Sequence, residues 1–483
     1  MRLLKSLTER QLFWLLVCGA AILRFINLGC DVLWYDEAFT AWIAKLPFSQ
    51  FPAAVLGDVH PPTFYLIEWV IVHLFGSSEA ALRFVSACFG VVAVLLVYHL
   101  ARVLNFAPMV RFGAAFCVAL LPGALYYSQE ARAYSMLACA VLTLVIGALE
   151  ARWWLAFSGA LGCCYLHNLG LFYALAVGAV SLLITIRARQ RDWWKPLLAF
   201  GAAGLLWLPW GALLVTQLRN VTGGFWIPPQ SPLSFLQLSS LMISLRTPAM
   251  LQIAQIPLVL ALSGVAFVVG RDIFRGRQGA ILGAALFVAP ALAIVTSIFY
   301  KPLFLPRAFL GSVLIAVGLW TYAASKLGRA NRRVYLGGVT LLLTISLAGH
   351  FFPVGPRENG KEAAGVVRAE WQAGDIVYFQ SPAAQILFGY YLADLPQVIH
   401  PDANDLYQSL SPAAKIAFGF HQENWPPSGA QRVWVVAFHT WTTSARELAF
   451  QDEMDRTASV RYEKGPDASR SIVWLVDLAN AAK

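Results

Sequence analysis

Apolar residues in this chain come in long runs, and from the first dozen residues to about residue 352 each run is near the ~20 needed to cross a hydrocarbon core as a helix. The runs predict transmembrane helices at about 11–28, 79–101, 111–126, 133–149, 153–167, 169–186, 196–217, 249–270, 279–298, 307–325 and 334–352, eleven in all. The first follows a basic start, MRLLKSLTER, with no small-residue cleavage site after it, and reads as a retained helix. Some segments break the pattern. Residues 30–60 are a polar loop, and 61–76, PPTFYLIEWVIVHLFG, is too short to cross and is interrupted by Glu68 and His73, so it reads as a helix lying at the interface. Residues 233–246 are a second segment of that kind.

At Pro353 the texture changes to that of a small water-soluble domain. DIVYF from 375, RVWVVAF from 432 and SIVWLVD from 471 read as buried strands, and KEAAGVVRAEW from 361 and TSARELAFQDEM from 443 as amphipathic helices. The chain thus divides into a polytopic α-helical membrane domain, 1–352, with a first outer loop over about 30–78, and a C-terminal α/β domain, 353–483.

Composition agrees and excludes other classes. Only 13% of residues are charged and 58% are hydrophobic, against roughly a quarter charged in a soluble domain. The net charge of +10 does not point to nucleic acid, because it is unevenly spread. Up to residue 352 there are 25 Lys+Arg against 11 Asp+Glu, a balance of +14; beyond it 11 face 15, a balance of −4. With the N-terminus in the cytoplasm, the inside loops carry 17 of the basic residues and the outside loops seven: Lys45, Arg83, Arg132, Arg219, Arg246, Lys301 and Arg307. That bias fits the positive-inside rule for an inner-membrane protein, and an odd number of spans puts the C-terminal domain outside the cytoplasm. The seven cysteines all precede residue 353 and read as packing residues without disulfide or metal-ligand spacing.

Topology then makes the polar residues of the outer turns informative. The first outer loop holds WYDEAF, with adjacent carboxylates Asp36 and Glu37, and ends in GDVHPP, with Asp58 and His60. Glu130 and Arg132 stand in YSQEARAY, His167 and Asn168 in the next turn, and Lys301 and Arg307 in FYKPLFLPR. Together they fit a reaction centre at the outer boundary that handles an anion and activates a hydroxyl. Lys301 and Arg307 are candidates to hold a phosphate, one as a point charge and one through a planar fork. Asp36 is the candidate general base, with Glu130 or His167 assisting it. Asp36, Glu130 and His167 are also the candidate ligands of a divalent cation such as Mg or Mn, although no spacing demands one. Arg24, near the outer end of the first helix, could snorkel or could pair with the loop carboxylates.

WYDEAF, DVHPPTFYL, LFGSSEAALRFVS and YSQEARAYSML, in this order and spacing, resemble the N-terminal half of bacterial GT-C glycosyltransferases related to protein O-mannosyltransferases and to the lipid A aminoarabinose transferases, the glycosyltransferase family 39 type. LFLPRAFL resembles the element before a late helix of that group, with Ala308 where an aromatic is common. The resemblance implies the GT-C fold and transfer of a sugar from a polyprenyl-phosphate donor to an acceptor on the outer side. It implies Asp36 as the catalytic carboxylate, Glu37 as its helper toward the acceptor, and Glu130 as the second-loop acid. His60 matches the donor-phosphate position, where relatives carry Lys, so charge there would depend on pH; Tyr65, in the same motif, is a further substrate-binding candidate. His60 and the overall length depart from the aminoarabinose transferases and weaken a lipid A assignment.

Leaving-group chemistry fits the same scheme. A polyprenyl phosphate departs as a stabilised anion and needs little acid help, unlike the leaving group of a glycosidase, which uses an acid and a second carboxylate. One base and a phosphate clamp suffice, and attack at the anomeric carbon predicts inversion. Two rivals remain: an oligosaccharyltransferase or polymerase of the same fold, and a transporter, which would place its charges near the bilayer midplane instead of at one boundary. Sugar and acceptor, whether glycolipid, polysaccharide or protein, stay open.

Overall fold

The computed structural model describes residues 8–220, 227–243, 248–352, 360–400, 419, 421–438, 445–464 and 471–478. The chain has a helical membrane domain and a small α/β domain. The membrane helices are α1 (Glu9–Phe25), α5 (Glu79–Val103), α6 (Pro108–Leu120), α7 (Pro122–Ser128), α8 (Tyr134–Glu150), α9 (Trp153–Leu166), α10 (Gly170–Arg187), α11 (Trp194–Asn220), α12 (Ala249–Val269), α13 (Gly276–Gly283), α14 (Ala289–Phe299), α15 (Leu310–Lys326) and α16 (Arg329–Phe351). Between α1 and α5 lie α2 (Tyr35–Lys45), α3 (Phe51–Leu56) and α4 (Pro62–Phe75).

All eleven expected spans are helical, but among the described residues seven could cross a bilayer alone by length and apolarity, one of them formed by α13 and α14 through a π-helical segment at Ala284–Val288. An eighth counts if α6 and α7, bent by 56°, form one span. The other three, α1, α8 and α9, have 17, 17 and 14 residues. For α8 the shortfall has a physical reason: from Tyr134 to Ala148 all but Thr143 is buried, so its sides meet protein rather than lipid and it need not span the full hydrocarbon thickness. Gly147 and Gly159 let α8 and α9 pack backbone to backbone; a Cβ on either would stand 2.4 or 2.3 Å from the partner's amide nitrogen. Residues 62–75 form the short apolar helix expected there, and a 3₁₀ run covers Pro232–Met242, while 244–247 fall outside the described residues.

Pro122 causes the α6/α7 bend. Lacking an N–H, it cannot donate to the Val118 carbonyl, which takes the Leu121 amide at 3.3 Å in a tighter turn; Arg24 adds donors, Nη2 reaching Val118 O at 3.4 Å and Nη1 reaching Ala119 O at 3.3 Å and Ala20 O at 3.1 Å. Arg24 is thus fully buried against the broken helix, neither snorkelling nor paired with the loop carboxylates.

The C-terminal domain contains α17 (Gly360–Ala369), β1 (Ile376–Phe379), α18 (Pro382–Gly389), β2 (Gln397–Ile399), β3 (Arg432–Phe438), α19 (Ala445–Thr457), β4 (Ser459–Lys464) and β5 (Ser471–Asp477). The sheet order is β2-β1-β3-β5-β4, with β1 parallel to β2 and β3, and β5 antiparallel to β3 and β4. The three expected strands are β1, β3 and β5; β2 and β4 are additions. The domain shares one apolar core with the first loop, in which Ala38 and Ala41 of α2 join Ala384, Leu387 and Phe388 of α18. Trp42 Nε1–H donates to the Ile386 carbonyl at 2.9 Å, and the Leu33 amide donates to the Tyr391 hydroxyl at 2.9 Å. Lys361 pairs with Glu79 at 3.0 Å.

Candidate active site

α2 begins at Tyr35, so Asp36 and Glu37 occupy its first turn, where the helix dipole favours carboxylates. Successive residues on a helix point about 100° apart. Asp36 therefore stays partly exposed while Glu37 faces the protein interior.

Asp36 keeps 19% side-chain exposure; its Oδ2 accepts from Arg307 Nη2 at 3.2 Å and lies 4.0 Å from Arg132 Nε. Arg307 rides on a 3₁₀ turn, Pro306–Phe309, at the start of α15, and its guanidinium sits over the rings of Tyr134, at 5.3 Å, and Trp34, at 5.7 Å. Arg132 comes from the α7–α8 turn and donates to the Tyr65 hydroxyl (3.3 Å), Thr40 Oγ1 (3.4 Å) and His60 Nε2 (3.0 Å). On the far side of His60, Nδ1 meets Asp58 Oδ2 at 2.9 Å, and the Tyr65 hydroxyl donates to the same oxygen at 2.6 Å. This network assigns the tautomer: Nδ1 carries the proton toward Asp58, and Nε2 accepts from Arg132.

The electrostatics follow from these contacts. Burial alone would raise the Asp58 carboxyl, but His60, Arg132 and Tyr65 together hold it well below the usual carboxylate range. Burial, and then Asp58, push the Tyr65 phenol up. Burial disfavours the Arg132 charge, yet Tyr65, Asp36, Tyr134 and Asp58 keep it firmly cationic. His167, in the α9–α10 turn, is held neutral by burial and by its neighbours His60, Arg132 and Arg307. Its Nδ1 accepts from the Leu169 amide at 3.1 Å, so Nε2 carries the proton. That Nε2–H, the Tyr134 hydroxyl and the Trp34 indole N–H are buried donors with no protein acceptor among the described residues. His60, Phe64, Tyr65, Arg132, Tyr134 and His167 wall the adjoining cleft. A site with two arginines, several uncommitted donors and one partly exposed carboxylate suits an anion rich in acceptor oxygens.

Several expectations land elsewhere. Glu37 is fully buried: Oε1 and Oε2 each take a 2.7 Å bond from Arg83, the Ala131 amide donates to Oε1 at 2.9 Å, and the Trp34 amide approaches Oε2 at 3.4 Å. It braces α2 rather than facing the cleft. His60, expected as a pH-dependent cation for phosphate, has both ring nitrogens engaged and orients Arg132. Glu130 is buried within electrostatic reach of Arg307 and Tyr127. Lys301 is half-buried, six residues before Arg307 on the same loop, and the cations on Asp36 among the described residues are Arg307 and Arg132. No three His, Cys, Asp or Glu side chains converge as a metal site among the described residues, so Asp36, Glu130 and His167 do not form the expected ligand set. Trp34, Arg83 and Tyr134 were not singled out by sequence as site residues, although each lies in a quoted motif; Asp58 was named with His60 but given no role.

The comparisons with known proteins agree with this architecture. Residues 59–214 match the family model described as dolichyl-phosphate-mannose-protein mannosyltransferase, a stretch holding His60, Tyr65, Arg132 and His167. The structure is similar to the crystal structure of ArnT from Cupriavidus metallidurans in the apo state, with TM-score 0.63 and 14% identity, covering 97% of this chain and 98% of that one. It is similar to ArnT from the same organism bound to undecaprenyl phosphate, with TM-score 0.60 and 15% identity, covering 96% and 97%. A mutant of the arabinofuranosyltransferase AftD from mycobacteria aligns with TM-score 0.51 and 13% identity over 98% of this chain and 42% of that one. No curated protein sequence matches the chain. The fold is the GT-C fold of polytopic membrane proteins with a C-terminal α/β domain. The family match over residues 59–214 and the shared fold both agree with a GT-C glycosyltransferase.

Proposed function

We propose that this protein transfers a single sugar from a polyprenyl-phosphate donor to an acceptor hydroxyl, on a glycolipid, polysaccharide or protein, at the outer face of the cytoplasmic membrane. The observation that carries this reading is Asp36, a partly exposed carboxylate held by Arg307 and by Arg132, which lines the cleft. The donor phosphate binds those guanidinium groups, with His167, Tyr134 and Trp34 supplying further donors. By competing for Arg307 it frees Asp36. The Asp36 carboxylate then takes the proton of the acceptor hydroxyl as its oxygen bonds to the anomeric carbon. The bond from that carbon to the phosphate oxygen breaks, and its electron pair leaves with the phosphate, which needs no proton. Inversion at the anomeric carbon follows. That an ArnT structure of the same fold holds undecaprenyl phosphate supports this donor class. The excess of basic residues in alternate loops supports a cytoplasmic N-terminus and an extracytoplasmic active site and C-terminal domain.

Membranes containing the chain, fed labelled polyprenyl-phosphate hexoses and pentoses, test this directly. Label passes to an acceptor with wild type and not with Asp36→Asn, and the product has inverted configuration. Retained configuration, or transfer by Asp36→Asn at the wild-type rate, refutes the scheme.

A further inference from the structure

The loop that carries Asp58 and His60 deprives its own backbone of donors. In a turn, the carbonyls of Asp58 and Val59 would each take the N–H three residues further on. Those residues are Pro61 and Pro62, which have none. Among the described residues no backbone amide donates to either carbonyl. Carbonyls drawn out of water must then find donors on other parts of the chain.

Two carboxamides supply them. Gln217, in the last turn of α11, donates through Nε2 to the Asp58 carbonyl and, at 3.4 Å, to the Val55 carbonyl. Asn168, in the α9–α10 turn, donates through Nδ2 to the Val59 carbonyl at 2.6 Å. Its Oδ1 accepts from the Trp210 indole at 3.0 Å, which fixes which end of the carboxamide faces the loop. Gln217 and Trp210 are both buried, and a polar side chain is costly there unless it is bonded. Thus α11 holds the loop twice, once directly and once through Asn168.

What the loop carries is the support of Arg132. Asp58 Oδ2 accepts from the His60 amide at 3.2 Å and from Nδ1 at 2.9 Å, and His60 Nε2 accepts from Arg132 Nη2 at 3.0 Å. A second path runs from Asp58 Oδ2 through the Tyr65 hydroxyl to Arg132 Nη1 at 3.3 Å. Displacing the backbone at Asp58 and Val59 would therefore displace both supports. Neither Asn168 nor Gln217 bonds Arg132 itself, so any effect they have on it passes through the loop.

We propose that Asn168 and Gln217 are positioning residues of the donor site: by holding the carbonyls of Val59 and Asp58 they set His60, and through it the Arg132 guanidinium, where the donor phosphate binds. The inference rests on the donor class proposed above. The two prolines after His60 make the loop stiff but leave it unanchored, and the carboxamides give it a fixed position against α11.

The test is binding of undecaprenyl phosphate by the purified full chain in lipid nanodiscs, with the unfolding midpoint of each variant read in parallel. Asn168→Leu and Gln217→Met keep the side-chain volume and remove the donors; each weakens binding about fivefold, the worth of one hydrogen bond. Tyr165→Phe, which removes a bond from α9 to the Leu206 carbonyl of α11 and does not touch the loop, stays within about twofold of wild type. The decisive reading is a double-mutant cycle: in a His60→Ala background, already weakened, Asn168→Leu costs less than about twofold more. If folded Asn168→Leu and Gln217→Met bind like wild type, or if Asn168→Leu costs as much without His60 as with it, the carboxamides only stabilise the fold and the inference is wrong. Trp210→Phe leaves the Asn168 donor present but no longer aimed; it gives a smaller loss in the same direction and decides the matter if an isostere does not fold. Failure of wild type to bind the probe overturns the donor class itself, so the two failures are told apart.

Discussion

The two faces of α2 make an instructive pair. Asp36 and Glu37 are neighbours of the same chemistry in one helical turn, yet one keeps 19% exposure between two arginines while the other is wholly buried on a third. On the Asp36 side the contacts are few, longer than 3 Å, and made by groups that a ligand could compete for. On the Glu37 side both bonds from Arg83 are 2.7 Å, and Arg83 also donates to the carbonyls of Leu28, Asp31 and Val32. A charged pair removed from water is retained only with such complete hydrogen bonding. The front of the helix is built to exchange partners and the back to keep them.

Breaking the back has the largest expected effect. Arg83→Ala strands a buried carboxylate and costs about 3–5 kcal/mol, seen as loss of folded protein in a thermal or denaturant assay. Replacing both partners, Arg83→Met with Glu37→Leu, recovers most of that stability; if sugar transfer also returns, Glu37 has no chemical role. Asp36→Asn should do the reverse, lowering transfer by about 10²–10⁴-fold, the range for loss of a general base, with the unfolding midpoint little changed.

His167 sharpens the comparison through pH. Its folded pKa lies below the ordinary histidine value, so the unfolded chain takes up the proton first and stability falls as pH drops below about 6.5. Unfolding midpoints between about pH 7 and about pH 5 should show this slope in wild type and a shallower one in His167→Gln. Tyr391→Phe is the mildest change: it removes the acceptor of the Leu33 amide and should cost about 1 kcal/mol, with a small loss of transfer as the start of α2 loosens.

Legibility in the sequence followed the strength of each physical signal. Apolar runs announced the membrane helices because crossing a bilayer demands length and apolarity together. The buried strands β1, β3 and β5 stood out as short β-branched and aromatic runs. β2 has three residues, and β4 is largely exposed and polar, as an edge strand is, so neither carried a pattern. The cleft was visible as a set of loops, and Asp36, Arg132 and Arg307 do meet there. The distinction between Asp36 and Glu37 was not visible, because it depends on the phase of a short helix and on an arginine 46 residues away. Likewise His60 matched a phosphate position, but only the fold shows Asp58 and Arg132 on its two nitrogens.

The shared core of α2 and the C-terminal domain bears on how the protein is made. β5, the last strand among the described residues, lies between β3 and β4, so this sheet cannot close until residues 471–477 have been made. Until then the back of α2 lacks its cover of Leu387 and Phe388. The newly made membrane helices would therefore carry a loosely held Asp36, and a chain truncated during translation would be an inert, protease-sensitive product instead of a partly active enzyme.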